Sequence, residues 1–305
     1  MPQKAVTKNC PLQKQVEKAC RGDRVALAKA LSELERLGAR GLAEAPELLT
    51  SEKPALRVGI TGPPGAGKST LVSALIRELR RQDLQVAVVA VDPSSPLTHG
   101  AILGDRIRYR EHFLDEKVFI RSLGTRGSLG GLSASAYLML RAFDLCDFDV
   151  VLVETVGVGQ SEMDVMYVAD EVMVVLVPES GDAVQAMKAG LLEIADLFVV
   201  NKADRPGADS LVRELELSAQ LSAEAGQKVA EVIKTVATEG RGLEPIAQRV
   251  FTALNNRAVW EKQRQAPQRL QQEARALLRQ DWEERIHRQI QQVRVAQDLL
   301  KVIPS

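Results

Sequence analysis

A glycine-rich run followed by a lysine and two hydroxyl side chains is the strongest chemical signal in this sequence. It fits the spacing G-x-x-x-x-G-K-[ST] and consists of Gly62, Pro63, Pro64, Gly65, Ala66, Gly67, Lys68, Ser69 and Thr70. Glycines let backbone N–H groups curl around a phosphate, and a helix that follows turns its positive dipole end toward the anion. Lys68 would reach the β- and γ-oxygens, and Ser69 would bind Mg²⁺. The run predicts a phosphate loop for a nucleoside triphosphate.

Two acidic side chains are expected at the same edge of the fold as this loop. Asp92 and Glu154 each end an apolar run typical of a buried strand, and open parallel sheets bind ligands at the carboxyl ends of their strands. We expect both carboxylates to face the phosphates or the metal ion. Gly157 could donate its backbone N–H to a γ-phosphate and so sense whether that phosphate is present. The simpler alternatives are an aspartate that caps a turn and an incidental glutamate.

A third motif indicates which base is bound. Asn201, Lys202 and Asp204 fit the pattern N-K-x-D at the end of another apolar run. The Asp204 carboxylate can accept the N1–H and N2–H₂ of guanine together, whereas adenine lacks this donor pair and would leave the acid unpaired. Asn201 would brace the phosphate loop, Lys202 would lie along the base, and the ligand would be GTP. The turn expected to meet guanine O6 through a backbone N–H consists of Val236, Ala237 and Thr238.

The elements that must position these residues follow a regular rhythm through the middle two-thirds of the chain. Short apolar runs of Val, Ile, Leu and Ala alternate with longer amphipathic stretches, as in buried parallel strands joined by crossover helices. The pattern predicts an α/β fold with a doubly wound, mainly parallel seven-stranded sheet. The predicted strands are 56–60, 86–91, 118–121, 150–154, 172–177, 197–200 and 229–235.

Helical segments flank the predicted sheet. They divide the chain into an N-terminal helical extension at 1–50, a nucleotide-binding domain at 51–255 and a C-terminal helical arm at 256–305. The extension has apolar residues at helical spacing, and two glycines should end that helix: Val25, Ala28, Leu31, Leu34, Leu37, then Gly38 and Gly41. The arm carries an apolar stripe, which we expect to form a homodimer. The stripe is Leu270, Ala274, Leu278, Trp282, Ile286, Ile290 and Val293.

The overall composition is that of a globular protein and names no partner. Hydrophobic residues make up 45% of the chain, and 40 basic residues balance 40 acidic ones, so no net field would attract nucleic acid or an anionic membrane. No apolar run approaches the roughly 20 residues of a membrane helix. We therefore expect a cytoplasmic protein without nucleic-acid or membrane partners. Cys10, Cys20 and Cys146 are odd in number and far apart in sequence, which argues against a disulfide framework or a CxxC metal site and favours partly buried thiols in a reducing compartment.

These segments together resemble the MeaB/ArgK family of phosphate-loop GTPases, whose fold is SIMIBI-like. The resemblance covers about residues 15–255 and rests on the phosphate loop, on 90–108, 125–131 and 153–162, and on 188–204. Members of this family act as chaperones for adenosylcobalamin-dependent acyl-CoA mutases such as methylmalonyl-CoA mutase. The resemblance therefore implies hydrolysis of GTP to GDP and phosphate with Mg²⁺, and a mutase as partner.

The resemblance also implies roles for two residues that the motifs alone leave open. Asp105 would lie on a switch loop and arrange Mg²⁺ and its waters together with Asp92 and Glu154. Lys188 would link the nucleotide state to the partner. The plain alternatives are an acid that begins a helix and a solvated lysine.

Intrinsic hydrolysis should be slow. Ras-type enzymes place a water-orienting glutamine directly after the glycine of the metal-side motif, and this position holds Val158. Gln160 would help only if a partner reshaped the loop.

Other activities share parts of this pattern. Nickel-delivery GTPases of hydrogenase or urease maturation need clustered His or Cys, whereas His99, His112 and His287 are isolated in sequence and expected at the surface or partly buried. A kinase linked to basic amino-acid transport would need a second substrate pocket and an acceptor base. A signal-recognition-type GTPase would carry a Met-rich extension, and 6 methionines do not form one. A GTP-dependent scaffold with little turnover also fits.

Overall fold

Seven parallel strands form the centre of the computed structural model, which describes residues 10–92, 108–124, 133–155, 161–178, 190–224 and 229–290. They are β1 Leu56–Thr61, β2 Val86–Asp92, β3 Val118–Gly124, β4 Val150–Thr155, β5 Glu171–Leu176, β6 Leu197–Val200 and β7 Glu231–Lys234. Their order across the sheet is β3-β2-β4-β1-β5-β6-β7, and every neighbouring pair is parallel. The predicted doubly wound α/β fold is confirmed.

The strand bounds differ from the prediction mainly at the two outer strands. β3 continues to Gly124 because it pairs with β2 along its whole length, up to Asp92 opposite Gly124. β7 begins at Glu231 rather than at Val229, whose side chain is exposed. β7 is paired on one side only, and its predicted apolar run extends beyond the residues that form the ladder.

Eleven α-helices lie around the sheet in the part of the chain that the structure describes. They are α1 Pro11–Ala19, α2 Arg24–Leu37, α3 Arg40–Glu44, α4 Lys68–Arg81, α5 Ala134–Leu145, α6 Ser161–Val168, α7 Leu191–Ile194, α8 Ala208–Glu224, α9 Leu243–Asn255, α10 Arg257–Arg264 and α11 Pro267–Ile290, of which α3, α7 and α10 are short.

Each face of the sheet has its own core, because successive side chains of a strand point to opposite faces. On one face, residues of α1, α2, α5, α6 and α8 pack with Ala87 and Val89 of β2. On the other, residues of α4 and α9 pack with Val86 and Val88 of the same strand. The sheet is therefore buried on both sides, which explains why its strands are apolar throughout rather than alternating.

The N-terminal extension corrects two details of the sequence interpretation. Val25 is 64% exposed, so it does not belong to the packed stripe, whose neighbours Ala26 and Leu27 are buried instead. Gly38 does end α2, with a positive φ of 54°. Gly41 lies inside α3, where a Cβ would come 2.8 Å from Leu34 Cδ2. Gly41 is thus a packing position and not a helix stop.

The long C-terminal helix α11 turns the predicted stripe away from the rest of the chain. Leu278 and Trp282 are 63% and 66% exposed, whereas Ala276 and Leu277 are the apolar side chains of this helix that pack against the core. Glu273 accepts hydrogen bonds from Arg141 of α5. The predicted helix is confirmed, and the face that contacts the domain is the one next to the stripe. None of the described helices is long and apolar enough to cross a membrane.

Candidate nucleotide-binding site

The phosphate loop joins β1 to α4 at the centre of the sheet. Its first glycine, Gly62, has φ 137°, and a Cβ there would lie 2.1 Å from the carbonyl oxygen of Val175. Gly67 has φ 85°, and a Cβ there would lie 2.5 Å from Asn201 Nδ2. Both positions therefore require glycine, since the backbone conformation and the space each exclude a side chain. The loop is held at the carboxyl edge by contacts with β5 and with the end of β6.

Lys68 begins α4 and is buried beneath the loop. Its Nζ donates to the carbonyl oxygens of Gly62 (2.7 Å) and Pro63 (2.9 Å). These contacts fold the lysine back over the loop that follows β1, so the ammonium lies among the loop's own backbone groups. A cation in this place is available to a phosphate that enters the loop.

Ser69 and Glu154 meet across the carboxyl edge of the sheet. The Ser69 hydroxyl donates to Glu154 Oε1 at 2.6 Å, and the hydroxyl of the fully buried Tyr109 donates to Glu154 Oε2. Glu154 itself is 5% exposed. Arg108 Nη1 lies 3.3 Å from Ser69 Oγ and brings a cation to the same place. These oxygens are hard donors of the kind that Mg²⁺ prefers, so the residues present fit a magnesium ion.

The Asn-Lys-x-Asp segment follows β6 and lies against the phosphate loop. Asn201 Nδ2 donates to Ala66 O at 2.9 Å, and Asn201 Oδ1 accepts from Thr235 Oγ1 (3.1 Å) and the Ala237 backbone N–H (3.2 Å). Asn201 thereby ties together the phosphate loop, the end of β6 and the turn after β7. Lys202 has a positive φ of 55°, and its Nζ donates to Gly65 O at 2.8 Å. The side chain of Asp204 is exposed.

A pocket of about 670 Å³ opens between these segments. Its walls include the phosphate loop from Gly65 to Thr70, together with Arg108, Glu154, Ala237 and Thr238. Four stretches that are separated by more than thirty residues in the chain thus share one cavity at the carboxyl ends of the strands. A cavity of this size holds a drug-sized or nucleotide-sized ligand.

Several predicted site residues lie outside the described part of the chain. Asp105, Gly157, Gln160 and Lys188 fall in the undescribed stretches, and of Asp92 the backbone alone is described. Asp92 is the last residue of β2. Ala90, two residues earlier, lies opposite Glu154 of β4, so the two strand ends are neighbours. Val236 pairs with Arg241 in an isolated bridge just before the turn at Ala237.

The sequence motifs did not identify Arg108 and Tyr109 as parts of this site. Arg108 ends the segment 90–108, which supports the family resemblance but contains no nucleotide motif, and Tyr109 follows it in a stretch with no motif. No signal in the sequence marks either residue as a neighbour of Glu154. The contact with Glu154 spans 45 positions, which no local pattern reveals.

His112 corrects the expectation of an isolated surface or partly buried imidazole. It is 5% exposed and lies 2.8 Å from Ser73 Oγ through Nε2. Burial lowers the pKa of His112, with the nearby Glu111 carboxylate acting in the opposite direction. The hydrogen bond from the Ser73 hydroxyl is the largest influence on Glu111 and lowers the pKa of its carboxyl group. Burial raises this pKa, and the nearby Arg77 guanidinium lowers it. Among the residues that the structure describes, no three His, Cys, Asp or Glu side chains form a group that could hold a metal ion.

A phosphate loop, a strand-end glutamate and an Asn-Lys-x-Asp segment at one edge of a parallel sheet define a phosphate-loop GTPase. The sequence profile of one family, described as "Methylmalonyl Co-A mutase-associated GTPase MeaB", matches residues 27–293. The chain belongs to this family. The resemblance drawn from the sequence is confirmed, and the protein is a GTPase.

Named relatives agree with this assignment. A putative GTPase of Pyrococcus horikoshii is 48% identical over 243 residues, which are 79% of this chain and 77% of that protein. GTPase ArgK of Escherichia coli is 43% identical over 197 residues, 63% of this chain and 60% of its own. The mouse "Methylmalonic aciduria type A homolog, mitochondrial" is 38% identical over 201 residues, 60% of this chain and 48% of that protein.

One solved structure covers nearly the whole chain. It is titled "Crystal structure of LAO/AO transport system kinase", and it matches with a TM-score of 0.62 and 27% sequence identity over 98% of both chains.

Proposed function

We propose that this GTPase binds Mg²⁺–GTP in the pocket beside the phosphate loop and uses hydrolysis to time its work as a chaperone of an adenosylcobalamin-dependent acyl-CoA mutase. The observation that supports nucleotide binding is that Lys68, Ser69 and Glu154 line one cavity, and that Asn201 is hydrogen-bonded to the phosphate loop that forms its wall. The mutase part is supported by the family description, which names methylmalonyl-CoA mutase. The mouse relative's name refers to methylmalonic aciduria.

The phosphates would be held by the loop and by Lys68. Backbone N–H groups of 62–70 and the first turn of α4 favour an anion, and Lys68 would exchange its two carbonyl partners for β- and γ-oxygens. Charge-assisted bonds to phosphate are stronger than the bonds to neutral carbonyls that they replace. Binding therefore needs no new charge and no large rearrangement of this side chain.

The metal ion would sit beside Ser69 and Glu154. When bound there, the ion would neutralise the negative charge that develops on the phosphates during hydrolysis. The Ser69 hydroxyl would ligate it directly, and Glu154, with Asp92 and Asp105, would hold its waters. Tyr109 fixes the Glu154 carboxylate by donating to Oε2, so this acid does not have to be ordered when the metal arrives.

Guanine would be selected at the other end of the pocket. The exposed Asp204 carboxylate would accept N1–H and N2–H₂, and Lys202 would lie along the base after its Nζ anchors on Gly65 O. Asn201 already accepts the Ala237 N–H, so it orders the turn at 236–238 that would meet guanine O6. One side chain thus links base recognition to the phosphate loop.

Completion of the hydrolytic site would need the mutase partner. Val158 stands where a glutamine would orient the attacking water, and Gln160 would act only after docking reshapes its loop. The segments at 92–108, 157–162 and 181–188 would report the nucleotide state, with Lys188 as the link. Stimulation should then appear mainly in kcat, and nucleotide affinity should change by the reciprocal coupling.

A steady-state GTPase assay with and without the mutase tests this mechanism. We expect the wild type to be slow alone and stimulated by the mutase, and Lys188→Ala to keep its GTP affinity while losing most of the stimulation. Lys29→Ala changes an exposed lysine of α2 and serves as the control, with normal stimulation. Equal wild-type rates with and without the mutase would contradict the chaperone role, and equal stimulation of both proteins would remove Lys188 from it.

We also propose that the C-terminal arm forms a homodimer through its exposed stripe. The side chains of Leu278, Trp282, Ile286 and Ile290 are exposed on one side of α11, and an apolar strip of this length favours burial against a second copy. The domain organisation proposed with it is an extension at 1–50, a GTPase domain at 51–255 and an arm at 256–305.

Sedimentation of point variants is a sharper test of the dimer than truncation. Deleting the arm from 258 onward would also remove Trp260 and Arg264, which are buried against the domain. The double variant Leu278→Glu/Trp282→Glu should sediment as a monomer with unchanged GTP affinity, whereas Gln271→Glu on the same helix should remain dimeric. A monomeric wild type would refute the dimer.

A further inference from the structure

Two cysteine side chains that are 126 positions apart in the sequence meet in the structure. Cys20 Sγ and Cys146 Sγ lie 3.0 Å from each other. Both are helix caps: Cys20 follows the last residue of α1, and Cys146 follows the last residue of α5. The three thiols are free and at least partly buried, as expected, but their separation along the chain did not reveal that two of them meet.

The two sulfur atoms differ in access and in acidity. Cys146 is 9% exposed, whereas Cys20 is only partly buried. The hydrogen bond with Cys146 lowers the pKa of the Cys20 thiol, and the same bond, followed by burial, raises the pKa of Cys146. The more accessible sulfur is therefore also the better thiolate, which is the arrangement of an attacking cysteine with a resolving neighbour.

The third cysteine is engaged elsewhere. The Cys10 thiol donates to Glu44 Oε2 at 2.9 Å, at the beginning of α1 rather than at its end. It serves as an internal reference for any reaction that depends on the geometry of the pair.

The pair connects the ends of α1 and α5, at the end of β4 that lies away from the pocket. Cys146 lies four residues before β4 begins at Val150, and the pocket lies at the opposite end of that strand, beside Glu154. A bond between the two sulfurs would fasten α1 to α5 without touching the pocket.

We propose that Cys20 and Cys146 form a reversible disulfide with a small-molecule disulfide, RSSR, as the oxidant. The Cys20 thiolate attacks one sulfur of RSSR, which forms a mixed disulfide and releases RS⁻. Cys146 passes its proton to the released thiolate and attacks Cys20 Sγ, which forms the intramolecular bond and releases a second RS⁻ that takes up the proton lost from Cys20. Two protein thiols are oxidised, and one RSSR is reduced to two RSH. This site is independent of the proposed mutase role.

The full-length protein is tested by incubation with excess oxidised glutathione. Free thiols should fall from three to one, and a digest read by mass spectrometry should contain a peptide pair joined through Cys20 and Cys146. Cys10→Ser should form the same joined pair, whereas Cys20→Ser and Cys146→Ser should not. Dithiothreitol should restore all three thiols.

Two physical readouts distinguish the intramolecular bond from simple modification. The thermal unfolding midpoint of the oxidised wild type should rise by about 5 °C or more, because the bond restrains the unfolded chain. GTP affinity should stay within about twofold, since the pocket lies at the other end of β4.

Three results would overturn the proposal. They are a glutathione adduct on Cys20 without the joined pair, a joined pair that contains Cys10, and loss of two thiols in Cys20→Ser. If Cys146→Ser does not fold, Cys146→Ala replaces it, and the peptide map of the wild type needs no variant at all.

Discussion

Within the part of the chain that the structure describes, we compare two places where charged side chains are buried, because the partners of these side chains differ. At the nucleotide edge, Lys68 donates to backbone carbonyls, and Glu154 accepts from the hydroxyls of Ser69 and Tyr109. Where the C-terminal arm leaves the domain, Arg264 instead pairs with Asp170 and Asp144.

The second group forms a closed network. Arg57 pairs with Asp144, Arg264 Nη2 also donates to Ala55 O at 2.7 Å, and Asp170 Oδ2 accepts from the Arg57 backbone N–H at 2.9 Å. These side chains are all buried. Burial lowers the pKa of Arg57, and the neighbouring Arg264 acts in the same direction.

The difference in partners distinguishes a binding site from a network of ion pairs that stabilises the fold. A bond to a neutral carbonyl or hydroxyl is readily replaced by a bond to phosphate or metal, whereas a buried ion pair that loses one partner leaves an uncompensated charge. Burial of charged side chains does not by itself distinguish the two regions, because it occurs in both. Variants in each region should therefore have separable effects on folding and on binding.

The largest effect on stability is expected in the buried ion-pair network. Arg264→Ala should lower the free energy of unfolding by about 3–5 kcal/mol, since it leaves Asp170 and Asp144 buried without this partner. GTP affinity of the folded fraction should be unchanged. The matched control is Arg279→Ala on α11, whose pair with Glu283 is about half exposed and should cost under about 0.5 kcal/mol. Chemical denaturation measures both, and an unchanged midpoint for Arg264→Ala would show that the network is not structural.

The second-largest effect should be on GTP binding rather than on stability. Lys68→Ala should lose about 2–4 kcal/mol of GTP binding or of transition-state stabilisation, with a smaller change in the unfolding midpoint than Arg264→Ala, since the carbonyl oxygens of Gly62 and Pro63 that Lys68 contacts carry no charge. Arg81→Ala, at the exposed end of the same helix, should bind and hydrolyse GTP normally. Calorimetric titration and a phosphate-release assay check the pair. Retention of both affinity and turnover in Lys68→Ala would place this lysine outside the site.

A smaller effect should follow removal of one hydroxyl. Tyr109→Phe deletes the donor to Glu154 Oε2 and should raise the Mg²⁺ concentration needed for half-maximal GTP retention by about three- to tenfold. Tyr137→Phe removes a hydroxyl from a buried tyrosine of α5, on the opposite face of the sheet, and should leave the Mg²⁺ titration unchanged. If the two titrations coincide, Tyr109 does not position this acid.

The sequence predicted what is local and left out what is long-range. The seven strands and the three nucleotide motifs were recognisable because spacing within a few residues determines them. Tyr109 with Glu154, and Arg264 with Asp170, could not be predicted, because each contact depends on how distant segments pack. The stripe on α11 has one feature that local spacing determines and one that long-range packing determines. Its period predicted the helix correctly, but a period does not say which side the domain covers.

The central claim is that the sheet edge with the phosphate loop and Asp204 selects guanine. The direct test is a competition titration of GTP against xanthosine triphosphate for the wild type, Asp204→Asn and the control Asp209→Asn, which changes an exposed acid of α8. The account predicts that wild type and Asp209→Asn prefer GTP, and that Asp204→Asn weakens GTP and prefers the xanthine nucleotide, whose N1–H and O2 fit an amide. An unchanged GTP affinity in Asp204→Asn would contradict the account.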